Sequence, residues 1–173
     1  ESLNVDCYKI ASFENTDLAL IREVAATGKP LIISTGMMSL SEMDEMVRAA
    51  RGAGCRDLIL LKCTSTYPSS PDGTNVLTIP HMREMFGCEV GLSDHSMGIG
   101  VSVAAVALGG TVIEKHFTLD KDMKGPDQST SATPDEFSRL VKAIRSSELV
   151  LGSSIKQPCL IETIGNHRVC HQT

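Results

Sequence analysis

The sequence alternates between short apolar runs and segments with helical periodicity. The apolar runs are YKIAS (8–12), LIIST (31–35), LILLKCT (58–64), EVGLS (89–93) and TVIEKHF (111–117). Strands that are apolar on both faces and alternate with helices form parallel sheets, because the crossover helices cover both faces. This pattern predicts an α/β fold, either a doubly wound sheet or part of a (β/α)8 barrel. No G-x-G-x-x-G follows any of the runs, which argues against a dinucleotide-binding fold.

Two of the predicted helices carry clear start and stop signals. Ser39 and Glu42 form an S-x-x-E capping box ahead of one helix. Thr133 is placed to cap another helix, with Pro134 at its first position and Gly152 after its end. We therefore expect both boundaries to lie at these residues.

The composition excludes several classes of function. The net charge is -5, aromatic residues make up 3% of the chain and Trp is absent, so a nucleic-acid surface is not expected. No stretch approaches the roughly 20 apolar residues of a membrane helix, so we expect no membrane association. The six cysteines form no C-x-x-C pair, and we expect reduced thiols in a cytoplasmic protein.

Polar residues occur where each apolar run ends. These ends are Ser12-Phe13-Glu14, Ser34-Thr35-Gly36, Cys63-Thr64-Ser65, Ser93-Asp94-His95 and Lys115-His116-Phe117-Thr118. One such end is explained by helix capping, but five in succession favour a small-molecule site, because the carboxyl ends of parallel strands meet at one edge.

Two of these ends carry histidines one βα unit apart. His95 and His116 on neighbouring strands would hold a divalent ion, with water and substrate completing its coordination. Alternatively, each imidazole forms a local hydrogen bond, and spacing alone does not decide between the two interpretations.

Three charged residues near these ends have more than one interpretation. Asp94 would orient the His95 ring or cap the following helix. Glu14 is either an acid–base group or a solvated loop residue. Lys115 should point away from His116, toward the helices, where we expect it to pair with an acid.

Seven segments together resemble the sialic acid synthase family. They are YKIASFEN, GKPLIISTGM, LLKCTSTYP, GLSDHSMGIG, VALGGTVIEKHFTLD, KGPDQSTS and LGSSIKQP. The resemblance implies a (β/α)8 barrel enzyme that condenses phosphoenolpyruvate with N-acetylmannosamine or a related amino sugar, giving a nonulosonic acid and phosphate. It also implies a homodimer in which a small antifreeze-like domain follows the barrel.

The resemblance assigns roles to individual residues. His95 and His116 match the histidines that hold Mn²⁺ or Mg²⁺, and Glu14 matches a glutamate between the two substrates. The residues that match substrate contacts are Lys9, Ser12, Ser34, Ser65 and Ser93 for phosphoenolpyruvate, and Tyr67 and Asp127 for the sugar. Ser65 stands where some members have Asn.

The resemblance also sets expected domain boundaries. Residues 1–158 match strands 4–8 of the barrel, without the first three βα units, and residues 159–173 match a linker toward the antifreeze-like domain. We expect a chain with five of eight strands to be inactive or weakly active alone, since an open barrel leaves two sheet edges unpaired.

Several alternatives stay open on sequence grounds. Mammalian-type members use a 6-phosphorylated sugar and have a different residue at the position of Asp94, so we expect this chain to use an unphosphorylated sugar. A pseudaminic or legionaminic acid synthase is the alternative within the family. The strand lysines Lys9, Lys62 and Lys115 would suit a Schiff-base aldolase. A non-catalytic member that associates with a complete partner is the third possibility.

Overall fold

The computed structural model describes residues 4–157, which form one five-stranded parallel sheet and the helices that cover it. The strands are β1 (Tyr8–Ile10), β2 (Leu31–Ser34), β3 (Leu58–Cys63), β4 (Glu89–Asp94) and β5 (Ile113–Lys115). They pair in chain order, β1-β2-β3-β4-β5, and the sheet curls into a half-barrel. This confirms the predicted partial (β/α)8 barrel and excludes the doubly wound alternative.

Each pair of successive strands is connected through a helix. The helices are α1 (Leu18–Ala25), α2 (Leu40–Gly52), α3 (Thr78–Phe86), α4 (Gly100–Ala107) and α5 (Pro134–Leu151), and α5 follows the last strand. Both predicted N-caps are present, with Ser39 capping α2 and Thr133 capping α5, and the structure shows that Thr133 also forms a capping box, with Glu136. Within residues 4–157, no helix combines the length and hydropathy needed to cross a membrane.

The hydrophobic core lies between the outer face of the sheet and the helices. Alternate residues of each strand point outward, and the strand residues buried in this core are Ile10, Leu31, Ile33, Leu58, Leu60, Val90 and Leu92. The helices contribute Ile21, Met46, Ile79, Met82 and Phe86, among others. The core is thus on the convex side, which leaves the concave side of the sheet for polar groups.

The strand register decides which side chains share the concave face. Lys9 is level with Ile32, Ser34 with Leu61, and Cys63 with Ser93, which in turn is level with Glu114. Because side chains alternate along a strand, all these residues point to the same side. The concave face therefore carries Lys9, Ser34, Cys63, Ser93 and Glu114.

Candidate functional site

A cluster of three aromatic rings lies at the carboxyl end of the sheet. The His95 and His116 rings have centroids 5.3 Å apart, with an edge-to-face orientation. The Tyr67 ring lies 4.2 Å from His95 and 5.5 Å from His116. The structure thus brings the two predicted metal ligands together, next to the tyrosine predicted to contact the sugar.

The His95 ring is held by a backbone carbonyl. Its Nδ1 atom lies 3.0 Å from the oxygen of Thr64. A carbonyl only accepts hydrogen bonds, so this contact assigns the proton to Nδ1 and leaves the Nε2 lone pair available. Ser93 Oγ lies 3.5 Å from Nε2 but donates its proton to Glu114, at 2.7 Å. The His95 Nε2 atom therefore presents an uncommitted lone pair toward the concave face.

Cys63 adds a polar sulfur beneath the His95 ring. Its Sγ atom lies 3.9 Å from His95 Nδ1 and 3.6 Å from Ser65 Oγ. Burial opposes ionisation of the thiol, but hydrogen bonds from His95, Ser12 and Ser65 outweigh it and lower the pKa of Cys63 to about 7. For His95, burial acts to lower the pKa, but the contacts with Cys63 and Thr64 raise it above the usual value.

Asp127 reaches the ring cluster from the loop between β5 and α5. Its Oδ2 atom lies 3.7 Å from His116 Nδ1, which is longer than a hydrogen bond. Burial and the negative charges of Cys63, Asp127 and Glu114 raise the pKa of Tyr67, so its phenol remains a protonated donor at neutral pH. Two groups predicted to contact the sugar thus lie beside the histidine pair.

A lysine and a glutamate face each other across the concave surface. Lys9 on β1 and Glu114 on β5 form an ion pair at 3.4 Å, although their strands are at opposite edges of the sheet. Glu114 was not among the predicted site residues. Strand alternation is the signal that identifies it, because Glu114 lies two residues before His116 and so shares its face.

A set of hydroxyls and backbone groups surrounds the ends of β1 and β2. Gly36 N–H donates to Ser12 Oγ at 3.1 Å, and Asn15 Nδ2 donates to the carbonyls of Ser34 at 3.0 Å and of Gly36 at 3.1 Å. A Cβ on Gly36 would lie 2.2 Å from Ser65 Oγ and 2.7 Å from Ser12 Oγ. Asn15 is buried and was missed by sequence reasoning, since it follows the strand end by several residues.

Ser34 stands out among these hydroxyls. Among residues 4–157, its Oγ atom is the one buried side-chain polar atom without a hydrogen-bond partner. Buried polar groups in folded proteins are almost always paired. The described residues therefore leave the hydrogen-bonding capacity of this hydroxyl unused.

Glu14 is placed differently from the other predicted catalytic residues. Its backbone N–H donates to Ala11 in the turn after β1, and its side chain is exposed, without a hydrogen bond or ion pair to the described residues. Its role as an acid–base group between two substrates stays a prediction.

Asp94 and Lys115 lie on the convex side, behind the histidines. Asp94 Oδ2 and Lys115 Nζ are 3.0 Å apart, which confirms that Lys115 pairs with an acid. The structure contradicts a direct contact between Asp94 and the His95 ring, and it contradicts the helix-cap interpretation. The Asp94 carboxylate has no hydrogen bond with the His95 ring, and the N-cap residue of α4 is Ile99. Strand alternation turns Asp94 away from the ring, and the helix begins too far along the chain for it to cap.

The residues present suit a metal ion that takes part of its coordination from outside the protein. Within residues 4–157, no group of three or more His, Cys, Asp or Glu side chains has metal-binding geometry. The chain therefore offers the His95 and His116 nitrogens, and water or substrate oxygens would supply the remaining ligands. The uncommitted Nε2 of His95 and the adjacent His116 ring fit that arrangement.

Four cysteines of the described region, Cys7, Cys55, Cys63 and Cys88, are free. Cys159, Cys170 and the predicted linker 159–173 lie outside the described residues.

Comparison with known proteins identifies relatives whose sequences match most of this chain. The chain is 49% identical over 156 residues to an uncharacterized protein of Methanocaldococcus jannaschii, covering 90% of this chain and 46% of that protein. It is 43% identical to a pseudaminic acid synthase of Helicobacter pylori, over 88% of this chain and 45% of that protein. It is 41% identical to an N,N'-diacetyllegionaminic acid synthase of Campylobacter jejuni, over 90% of this chain and 47% of that protein. The chain thus spans about half the length of the curated relatives it matches.

A solved structure supports the same relationship. The N-acetylneuraminic acid synthetase of Leptospira borgpetersenii, crystallised with citrate, superposes with a TM-score of 0.87 at 33% identity, over 94% of this chain and 56% of that one. Residues 1–156 match the NeuB family. With these residues matched and the half-barrel shared, the chain belongs to the NeuB family.

Proposed function

We propose that this chain carries the metal site and part of the substrate site of a synthase that condenses phosphoenolpyruvate with an N-acetylated amino sugar. The observation that carries the proposal is the concave face itself, where the His95–His116 pair shares one surface with Lys9 and the unpaired Ser34 hydroxyl. A cation-binding pair beside anion-binding groups suits a reaction between a sugar aldehyde and a phosphorylated enol.

The metal would be held by His95 and His116. Two imidazole nitrogens favour Mn²⁺ over Mg²⁺, because Mg²⁺ prefers an octahedral shell of oxygens. When bound, the ion would polarise the sugar aldehyde as a Lewis acid.

The anionic substrate would contact Lys9 and the nearby hydroxyls. Ser34 Oγ has no competing partner, so its hydrogen bond to a carboxylate or phosphate oxygen would cost no existing interaction. Lys9 is partly neutralised by Glu114 at 3.4 Å, and an anion would compete for its ammonium group. The residues proposed to surround phosphoenolpyruvate are Lys9, Ser12, Ser34, Ser65 and Ser93.

The sugar would lie against the rim formed by Tyr67 and Asp127. Tyr67 is 45% exposed beside both histidines, so its ring and phenol are available to a ligand. Carbon C3 of phosphoenolpyruvate would attack the aldehyde, with Glu14 between the two substrates. Water would then add to C2, and phosphate would leave by C–O cleavage.

N-acetylmannosamine without a phosphate is the proposed sugar, and the product is N-acetylneuraminate. The H. pylori and C. jejuni relatives are named for pseudaminic and legionaminic acids, which makes a related amino sugar the alternative. Comparing phosphate release with N-acetylmannosamine and with bacillosamine-derived sugars separates these substrates. With β1 and β5 both at open edges, we expect the chain alone to release little phosphate; robust release would contradict that expectation.

The anion site has a test that does not depend on turnover. Replacing the Lys9 ammonium with a neutral side chain (K9M) should weaken phosphoenolpyruvate binding about tenfold or more, since hydrogen bonds to charged groups contribute about 1.5–3 kcal/mol. Saturation-transfer NMR measures the binding, and K142M on the exposed face of α5 is the control. Equal affinity in K9M and K142M would exclude Lys9 from the site.

A further inference from the structure

A buried ion pair lies directly behind the two histidines. Asp94 ends β4 and Lys115 ends β5, the two residues are level in the sheet register, and each immediately precedes a histidine. Their side chains are 0% and 5% exposed. Alternation therefore places the charges on the convex side and the imidazoles on the concave side of the same two strand ends.

Asp94 connects this pair to the chain that follows β4. Its Oδ1 atom accepts from the N–H and the hydroxyl of Ser96, at 2.8 and 2.6 Å. Its Oδ2 atom accepts from Ser102 Oγ in α4, at 2.5 Å, and from Lys115 Nζ, at 3.0 Å. Lys115 also donates to the carbonyl of Ser96, at 2.6 Å. One carboxylate thus links β4, β5, α4 and the turn that begins at His95.

His95 lies at the centre of these contacts. Its carbonyl accepts from Ser69 N–H at 2.9 Å, and its ring is held by the Thr64 carbonyl. The residues on either side of it, Asp94 and Ser96, are joined to each other by hydrogen bonds. The position of the ring therefore depends on the turn that Asp94 stabilises.

Stability alone does not account for such a pair. Buried ion pairs are often no more stabilising than apolar side chains of the same volume, because both charges lose their hydration. What this pair supplies is a fixed relation between two adjacent strand ends, each of which carries a histidine on its other face.

We infer that Asp94 and Lys115 are positioning residues that set the separation and orientation of the His95 and His116 imidazoles. This inference rests on the proposed metal site. It assigns the pair a role in metal affinity that is separate from its role in folding.

Manganese binding by titration calorimetry tests the role in affinity. Substitution of residues that orient metal ligands lowers affinity by about 10- to 100-fold, and we expect a loss of this size in D94N. The apolar pair D94L/K115M should recover folding stability relative to D94N but not Mn²⁺ affinity. The control is R145M, which breaks the exposed Arg145–Glu148 pair on α5 and should leave binding unchanged.

A metal-free measurement separates this inference from the proposed function. Long-range ¹H–¹⁵N NMR should show a single Nδ1–H tautomer for His95 in the unsubstituted chain and a mixture in D94L/K115M. If the unsubstituted chain binds no Mn²⁺, the proposed metal site is wrong. The His95 tautomer in D94L/K115M is then the measurement that tests whether Asp94 and Lys115 position the imidazoles.

A folded D94L/K115M chain with unchanged Mn²⁺ affinity and an unchanged tautomer would overturn the inference. S102A keeps both charges and removes one donor to Asp94, so it tests the same role if the other variants do not fold. We expect S102A to weaken Mn²⁺ binding several-fold, and unchanged binding in folded S102A would count against the inference.

Discussion

The unpaired hydroxyl of Ser34 shows how a single residue connects folding to function. Burying an unsatisfied polar group costs about 1–3 kcal/mol, and Ser34 lies at the end of β2 with no partner among the described residues. Neighbouring Ser12 is paired with Gly36 N–H, so the two hydroxyls are not equivalent. A site that binds an anion gains most from the donor that has no other partner.

Removal of the Ser34 hydroxyl should therefore have opposite effects on stability and binding. S34A should keep or raise the free energy of unfolding, because an unsatisfied group is lost, while phosphoenolpyruvate affinity falls about tenfold. Urea denaturation and saturation-transfer NMR measure the two quantities, with S138A on the exposed face of α5 as the control. A loss of stability in S34A with unchanged affinity would contradict the assignment.

Gly36 is a residue of the site where an added side chain would have to displace two hydroxyls. G36A would place a Cβ against the hydroxyls of Ser65 and Ser12, and we expect a destabilisation of about 1–3 kcal/mol. At Gly52, the last residue of α2, an added Cβ would meet no atom within 4 Å, so G52A should be neutral or slightly stabilising. Urea denaturation measures the free energy of unfolding of both variants. Equal losses of stability in G36A and G52A would contradict this prediction.

At the scale of elements, helix boundaries were more predictable than strand ends. Capping boxes are local, so Ser39 and Thr133 could be identified from residues within three positions of each. Strand β5 ends at Lys115, whereas the apolar run continues to Phe117. Beyond Lys115 the backbone pairs with Ala132 instead of β4, since Ala132 N–H donates to the His116 carbonyl at 2.8 Å. That partner is remote in sequence and left no local signal.

The start of α5 provides a pH-dependent prediction. Hydrogen bonds from Lys121 and from Thr133 N–H lower the pKa of Glu136 to about 2. A depressed pKa stabilises the fold above the unfolded-state value of 4.5, and the contribution is lost as the pH falls toward 2. Because Glu136 is partly exposed, we expect the contribution to be only about 0.3–1 kcal/mol.

E136Q should accordingly be less stable than the unsubstituted chain at pH 7, and the difference should shrink as the pH falls from 4.5 toward 2. Urea denaturation across this range measures the difference, and E45Q on the exposed face of α2 is the control. A difference that does not change with pH would refute the ion-pair explanation.

At the scale of the whole molecule, the alternation of apolar runs and helices predicted a parallel α/β sheet that brings the two histidines to one edge, and the family resemblance predicted the half-barrel. The sequence did not predict contacts that depend on the curvature of the sheet. The Lys9–Glu114 ion pair joins the two edge strands across the concave face, and only the curl of the sheet brings them within 3.4 Å. Asn15 and the Ser102 contact with Asp94 were missed for a related reason, since their partners lie on other elements.

The central hypothesis is that His95 and His116 form one metal site on this half-barrel, and manganese titration by calorimetry tests it most directly. We expect one Mn²⁺ per chain, with binding lost in H95A and in H116A and retained in H81A, whose imidazole is exposed on α3. Manganese binding that survives both H95A and H116A, or a folded chain that binds no Mn²⁺, would contradict it.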